Sequence, residues 1–514
     1  MIGNIFKNDQ LPKGWVPTTI GDLLYFEYGK GLTKKKRNEN GKFPVYGSNG
    51  IVGYHTNFLI EAPALIIGRK GAAGEVSYSD KNCWPIDTTY FINNLNYLNI
   101  KFVFYVLKSL RLNQYDRSTA IPGLNRNDAY GLSFNLPPLP EQNHIVAKIE
   151  ELFSELDNGI ENLKKAREQL KTYRQAVLKY AFEGKLTKEW RSRQIVAGNP
   201  PEPAEKLLEQ IKTEREKHYQ KQLEDWKKAC GQAKKEGKKK PVKPKKPKEL
   251  QPLKEMELAD FPELPEGWCW CKLEEISYKI TDGEHFRPKT IENGIYFLSA
   301  KDIRDSGVSF EDPLYVSEET AYKARLRCGP ERGDILIVSR GATVGRMCVV
   351  NTDKTFCLLG SVILIKVNKH VNSNYLSYII KSPFIQKNLF DISGSTAQQA
   401  IYLRDIKNVP ISIPSYLEQN QIVSGIESRL SVCDKLEQTI EDSLKKAEAL
   451  RQSILKKAFE GNLTRDWRAK HPELITGENS AEKLLERIKA EKEKTRKDSP
   501  QRRKEKRKKV EYSD

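Results

Sequence analysis

The chain repeats itself at a fixed interval of 277 residues, and that repeat dictates its architecture. Ala181 to Arg191 reads AFEGKLTKEWR and Ala458 to Arg468 reads AFEGNLTRDWR, with eight of eleven residues identical. Ala204 to Lys217 (AEKLLEQIKTEREK) returns as Ala481 to Lys494 (AEKLLERIKAEKEK), and Glu141-Gln142-Asn143 returns as Glu418-Gln419-Asn420, both at the same interval. Leu11-Pro12-Lys13-Gly14-Trp15 answers Leu264-Pro265-Glu266-Gly267-Trp268 at 253. Solenoid units run to about 20–50 residues, so a period this long means tandem duplication of a whole folded unit. Each copy is a globular region of variable length followed by a helical module of nearly fixed length. A chain of 514 residues can bury more than one sizeable core.

Within each globular region, short apolar runs sit between glycines. Ala64-Leu65-Ile66-Ile67-Gly68 and Gly333-Asp334-Ile335-Leu336-Ile337-Val338 read as buried strands, and helical patterns follow at Phe102 to Leu110 and Asn374 to Lys381. The pattern predicts an α+β class with mixed, curved sheets. Cys269-Trp270-Cys271 suits a strand with both thiols on one face better than a metal site, since no His lies close enough in sequence to complete a ligand set. The other cysteines read as reduced core residues.

The prolines of Leu136 to Pro140 stop a strand and open a helix of about forty residues. Ile149, Leu156, Leu163, Leu170 and Val177 recur every seventh residue, with Ile145, Leu152, Ala166, Tyr173 and Tyr180 interleaved. Gly184 supplies the stop. The second copy starts at Ser415 to Glu418 in capping-box spacing and ends at Gly461. Its seam runs through Ile426, Cys433, Ile440, Ala447 and Ile454, with Leu436 and Leu450 between them. Two seams of equal length and matching position are expected to pack on each other as an antiparallel coiled coil, giving the chain a pseudo-two-fold internal duplication.

Catalytic signatures are missing from the sequence. No glycine-rich turn ends in Gly-Lys-Ser or Gly-Lys-Thr, Gly68 to Gly74 lacks the acidic partner of a dinucleotide site, and Asn135-Leu136-Pro137-Pro138 has an inserted leucine and no aromatic where an amino-methyltransferase motif would need one. The Glu-x-Lys triplets lie in charged helices, and the six His are scattered. The longest apolar run, Thr355 to Ile365, is too short to cross a bilayer, and Met1 to Gln10 lacks a signal-peptide core, so a cytoplasmic location is expected.

Several of these segments resemble one family. Ile280-Thr281-Asp282-Gly283-Glu284-His285, Phe297 to Ile303, Gly333 to Leu336, Ser339-Arg340-Gly341-Ala342-Thr343-Val344-Gly345 and Gly394-Ser395-Thr396 resemble a target-recognition domain of the specificity subunits of type I restriction-modification systems. The first region, with Tyr46 to Gly50, Gly53-Tyr54 and Gly68-Arg69-Lys70-Gly71, is similar to a second subtype of that domain. The Glu-Gln starts and Ala-Phe-Glu-Gly ends of the helical modules resemble the family's conserved regions. On this resemblance, recognition domains occupy residues 1–140 and 261–417, long helices 141–190 and 418–468, a helical and Lys/Pro-rich connector 191–260, and a helical segment with a basic tail 469–514. The resemblance implies a non-catalytic subunit whose domains each read half of a bipartite, asymmetric duplex target while the helices set the gap. Two methyltransferase subunits using S-adenosylmethionine and two restriction/translocase subunits using ATP and Mg would be its partners; this chain itself would hold no cofactor. The competing readings are a self-contained DNA-modifying or DNA-cleaving enzyme and a non-specific nucleic-acid-binding coiled-coil scaffold.

Base reading needs paired donors and acceptors carried on glycine-flanked loops. The candidates in the first region are Ser48, Asn49, Tyr54, Arg69, Lys70, Arg117 and Ser118. In the second they are Thr281, His285, Arg287, Lys301, Arg340, Thr343, Ser395, Thr396 and Gln398. The alternative for each is a turn residue satisfying its own backbone, with His285 as a structural donor and Tyr54 as core. The formal charge of +19 does not mark these loops. Lys227 to Lys248 carries +10 and Lys489 to Val510 carries +8, so these two segments hold nearly all of it. They are expected to attract phosphates in a salt-sensitive, sequence-independent way.

Overall fold

The computed structural model describes residues 11–498 except 39, 116–122, 238, 245, 247–249 and 393–399. The chain divides into two compact units, Met1–Lys165 with Ile440–Asp514, and Ala166–Thr439. Each unit therefore joins one globular domain to the end of the helix that follows the other.

The sheets of the two globular domains share one topology. In the first, a four-stranded antiparallel sheet runs in the order Glu27–Tyr28, Thr89–Asn93, Ala64–Gly68, Val76–Ser79. A three-stranded sheet places Phe43–Gly47 between antiparallel Gly50–His55 and parallel Trp84–Pro85. Val16–Thr19 and Ser133–Leu136 pair where the domain begins and ends. In the second domain the four strands are Ser277–Asp282, Val362–Val367, Ile335–Val338 and Met347–Val349. Ile295–Leu298 lies between antiparallel Leu314–Val316 and parallel Phe356–Leu358, and Cys269–Lys272 pairs with Pro410–Ile413. The expected mixed sheets are thus present in both domains.

The apolar runs are continuous because the central strands are buried on both faces. Leu65 and Ile67 pack with Phe102 and Val106 of the helix Ile100–Ser109, while Ala64 and Ile66 face Tyr46, Cys83 and Phe91. In the second domain Ile335 and Ile337 share a core with Tyr375 and Ile379 of the helix Ser373–Ile380, and Leu336 and Val338 face Phe356 and Leu358. Burial raises the thiols of Cys83 to about 11 and of Cys328 and Cys348 to about 12, which keeps them protonated. All eight cysteines are free.

Leu139–Phe182 and Tyr416–Phe459 are single helices of 44 residues each, or about 65 Å long. They pair antiparallel. In one unit Arg451 binds Asp157; in the other Arg174 binds Asp434 at 2.6 Å and Glu437 at 3.0 Å. Arg174 and Arg451 are 277 residues apart, as are Asp157 and Asp434, so the same bond is made twice.

The rows at Ile149 to Val177 and Ile426 to Ile454 do form the seam. Ile149, Val177, Ile426, Cys433, Ile440, Ala447 and Ile454 are buried, and Leu156, Leu163 and Leu170 are half-buried. The second row differs from expectation: Tyr173, Tyr180, Leu436 and Leu450 are exposed. The inward row lies one residue further on, at Ile160, Arg167, Arg174, Glu437, Leu444 and Arg451, all half-buried. Charged residues obscure it in sequence, yet their stems can line a seam while their heads pair at its edge. In this register Leu163, six residues on from Asp157, stands level with Lys445, six back from Arg451, and its seam neighbour is Leu444 rather than Ile440. A Leu163→Cys/Leu444→Cys chain should form an intramolecular disulfide under mild oxidation, and a Leu163→Cys/Ile440→Cys chain should stay reduced; the opposite pattern in mass spectra would refute this register.

Helix Ala204–Lys235 carries the start of the basic connector. Trp226 Nε1 donates to Pro241 O at 2.8 Å, and Lys240 and Lys243 lie 5.0 and 5.9 Å from its ring, so the chain folds back there. Among the described residues, no helix is long and apolar enough to cross a membrane.

Candidate nucleic-acid interface

In the first domain three of the candidates converge on one backbone segment. The Ser48 hydroxyl donates to Thr88 O at 2.8 Å, and the Arg69 and Lys70 amides donate to the same carbonyl at 2.9 and 3.2 Å. The Arg69 guanidinium donates to Asp87 O at 2.6 Å and lies 5.3 Å from the Tyr28 ring centre. Arg126 lies 5.4 Å from the same ring and 5.6 Å from that of Tyr25. Arg69 and Arg126, both half-buried, thus lie against the exposed rings of Tyr25 and Tyr28, where cation–π contact helps to hold them. Asn49 is exposed at the tip of the hairpin, and Tyr54 is 39 % exposed on its outer strand, outside the core. Arg117 and Ser118 lie outside the described residues.

Lys70 and Arg340 occupy equivalent places. Each is exposed, each follows the central strand of its four-stranded sheet, and each forms a short antiparallel bridge, Lys70 with Gly123 and Arg340 with Ala400. Gly123 and Ala400 are again 277 residues apart. Each is the first described residue after a segment that held further candidates; Ser395, Thr396 and Gln398, like Arg117 and Ser118, lie outside the described residues.

The remaining candidates of the second domain fall into different environments. Thr281 is buried within its strand, and Thr343 is half-buried in the turn after Arg340. His285 Nε2 receives Arg327 Nη2 at 2.8 Å, and Arg327 also pairs with Asp282. Lys301 Nζ binds Asp312 Oδ2 at 2.7 Å, and this bond holds its ammonium above the usual lysine range against a smaller opposing push from nearby Arg287. Arg287 and Lys301 are both exposed. Tyr25, Tyr28, Arg126 and Arg327 escaped the sequence reading because they come from separate elements and no spacing links them. Among the described residues, no group of His, Cys, Asp and Glu is placed to hold a metal ion.

The repeated motifs build two matching buried cages. Glu141 is 0 % exposed; its carboxylate accepts from Trp15 Nε1 at 2.8 Å, Thr464 Oγ1 at 2.7 Å and Arg468 Nη1 at 2.8 Å. Glu418, 1 % exposed, accepts from Trp268 Nε1 at 3.0 Å, Thr187 Oγ1 at 2.6 Å and Arg191. Arg468 also donates to Gly461 O and Arg191 to Gly184 O, at 2.6 and 2.7 Å. Gly184 and Gly461 have φ of +65° and +72°, and a Cβ on either would lie 2.5 Å from Pro265 or Pro12. Ser415 caps the Glu418 amide at 3.3 Å, but the Glu418 carboxylate serves the cage instead of closing the expected capping box. Gln142 and Gln419 accept the amides of Asn99 and Asn372, and Asn143 and Asn420 accept from the side chains of those residues. Every polar residue of Glu-Gln-Asn therefore has a partner. Each cage takes its tryptophan and glutamate from one half of the sequence and its threonine and arginine from the other.

Two like-built domains, each tied to one end of a paired long helix, define a tandem two-domain scaffold. A sequence profile described as the type I restriction modification DNA specificity domain matches residues 12–171 and 311–446, more than half of the chain. The chain belongs to this family of DNA-specificity subunits, which is non-catalytic. It is 25 % identical over 492 residues to the specificity subunit of the type I restriction enzyme EcoDI of Escherichia coli, covering 94 % of this chain and 96 % of that one. Among solved structures, a chain from work on complex assembly and conformational transition of the type I system matches with a TM-score of 0.58 at 18 % identity, covering 88 % of this chain and 99 % of its own. The HsdS subunit of Thermoanaerobacter tengcongensis matches at 0.50 and 18 %, covering 90 % and 100 %. At that identity the likeness is one of fold.

Proposed function

We propose that each recognition domain reads one half of a bipartite, asymmetric duplex sequence, and that the length of the paired helices sets the unspecified gap between the halves. The observation that carries this reading is the equivalence of Lys70 and Arg340: one scaffold presents a different cation, with different neighbours, at the same place in each domain. Like positions with unlike side chains are what two different half-sites require. Two methyltransferase subunits carrying S-adenosylmethionine, and two restriction/translocase subunits using ATP and Mg, would assemble on the helices in the cytoplasm. The exposed Tyr173, Tyr180, Leu436 and Leu450 on the flanks of the seam favour such docking over a bare spacer.

Copurification of the chain with its neighbours, followed by mapping of methylated adenines across the genome, tests this directly. The expected result is one split, asymmetric motif that disappears when the chain is deleted. A continuous motif, or methyl transfer by the purified chain alone, would favour a self-contained enzyme; duplex binding without sequence preference would favour the scaffold reading. Within the main reading, Arg340→Ala should weaken cognate binding by about 1–3 kcal/mol and relax one position of a single half-site. Lys70→Ala should act on the other half-site. Unchanged affinity in a folded Arg340→Ala chain would remove that residue from the interface.

A further inference from the structure

Phe286 is 87 % exposed, an extreme value for a phenylalanine in a folded domain. It does not sit on a loose tip. The stem before it is clamped: Glu284 N donates to Leu358 O at 2.8 Å, Gly360 N donates to Glu284 O at 2.7 Å, and Glu284 bridges to Leu359. His285, the residue immediately before it, is bonded to Arg327, which is itself held by Asp282. The ring thus projects from a fixed base instead of collapsing onto the domain.

Arg287, also exposed, follows Phe286 directly. Gly360 and Ser361, next to the clamped stem, also anchor the Arg340 loop, since Ser339 N donates to Ser361 O at 2.8 Å. An exposed ring next to Arg287, on a stem whose neighbours also anchor the Arg340 loop, fits a duplex: phosphates suit the arginines, and the flat ring suits the gap between stacked bases.

We propose that Phe286 is a wedge that inserts between neighbouring base pairs of the half-site read by the second domain, opening that step so that the Arg340 loop meets the base edges. The inference rests on the DNA reading above. It assigns a positioning role to a residue whose side chain has no hydrogen-bonding group of its own.

The test uses the full chain with the subunits that copurify with it, and the duplex its complex selects from a random pool. Single 2-aminopurine substitutions are moved through the second half-site. The wild-type complex should raise 2-aminopurine emission at one step. Phe286→Ala should abolish that rise and weaken binding about 5- to 150-fold, while Phe286→Trp keeps both. Because the ring is on the surface, the Tm of both variants should match the wild type. Full emission and affinity in Phe286→Ala, or no emission rise at any second-half step in the wild type, would overturn the wedge while leaving half-site reading intact. Failure of the wild-type complex to select any split sequence would instead sink the DNA reading and the wedge with it.

Discussion

Glu141→Ala should lower the stability of its unit by about 3–5 kcal/mol, and Glu418→Ala should do the same to the other. Removing either carboxylate strands an indole N–H, a hydroxyl and an arginine that have little water to turn to. The cost of such a deletion comes from the abandoned partners more than from the lost bond. Glutamine at the same position keeps an acceptor without the charge, so Glu141→Gln should cost less than Glu141→Ala. Hydrogen–deuterium exchange of the segments holding Trp15 and Trp268, one in each cage, reads the unfolding of each unit separately during denaturant titration. An alanine variant that unfolds at the wild-type midpoint would show that the cage contributes nothing. Burial raises the Glu141 carboxyl above its ordinary range, against the opposing pull of Thr464, Arg468 and Trp15. Stability linked to that proton is therefore complete below the ordinary glutamate range and is lost as pH rises through the raised value; Glu141→Gln should remove this pH dependence.

The second large effect is expected at Gly283. A Cβ there would lie 2.1 Å from Leu358 O, and one on its counterpart Gly29 would lie 2.1 Å from Ile86 O. A backbone carbonyl in a sheet cannot rotate aside as a side chain can, so Gly283→Ala should cost about 3 kcal/mol, the upper end for overpacking. The displaced stem carries His285 through Arg287, so binding to the second half-site should fall while the first half-site is still read. Footprinting of the two halves separates these outcomes. Equal loss at both would mean that the substitution had unfolded more than its own domain.

Much of the architecture was legible because it is written twice. The 277-residue interval identified the fixed modules, and unbroken apolar runs such as Ala64 to Gly68 announced strands covered on both faces. The helix stops at Gly184 and Gly461 were equally plain. What stayed hidden depends on pairings between distant segments. Glu141 and Glu418 stood out as repeated residues, yet nothing local shows that their partners come from the opposite half of the chain. The inner row of the coiled coil was missed because Arg167, Arg174, Glu437 and Arg451 look like surface residues until a facing helix supplies their partners. Donor and acceptor chemistry marks Lys70 and Arg340 as candidates, but it takes no account of exposed rings such as those of Tyr28 and Phe286.

The crossed cages also impose an order in time on the growing chain. Glu418 emerges from the ribosome after Thr187, Arg191 and Trp268, so its cage can close as soon as it is made. Trp15 and Glu141 are made early, but Thr464 and Arg468 come more than 300 residues later, which at about 5–20 residues per second is a wait of roughly 15–60 s. During that interval the first-made recognition domain lacks the segment that completes its core, although it leads in the sequence. The domain begun first is the one finished last.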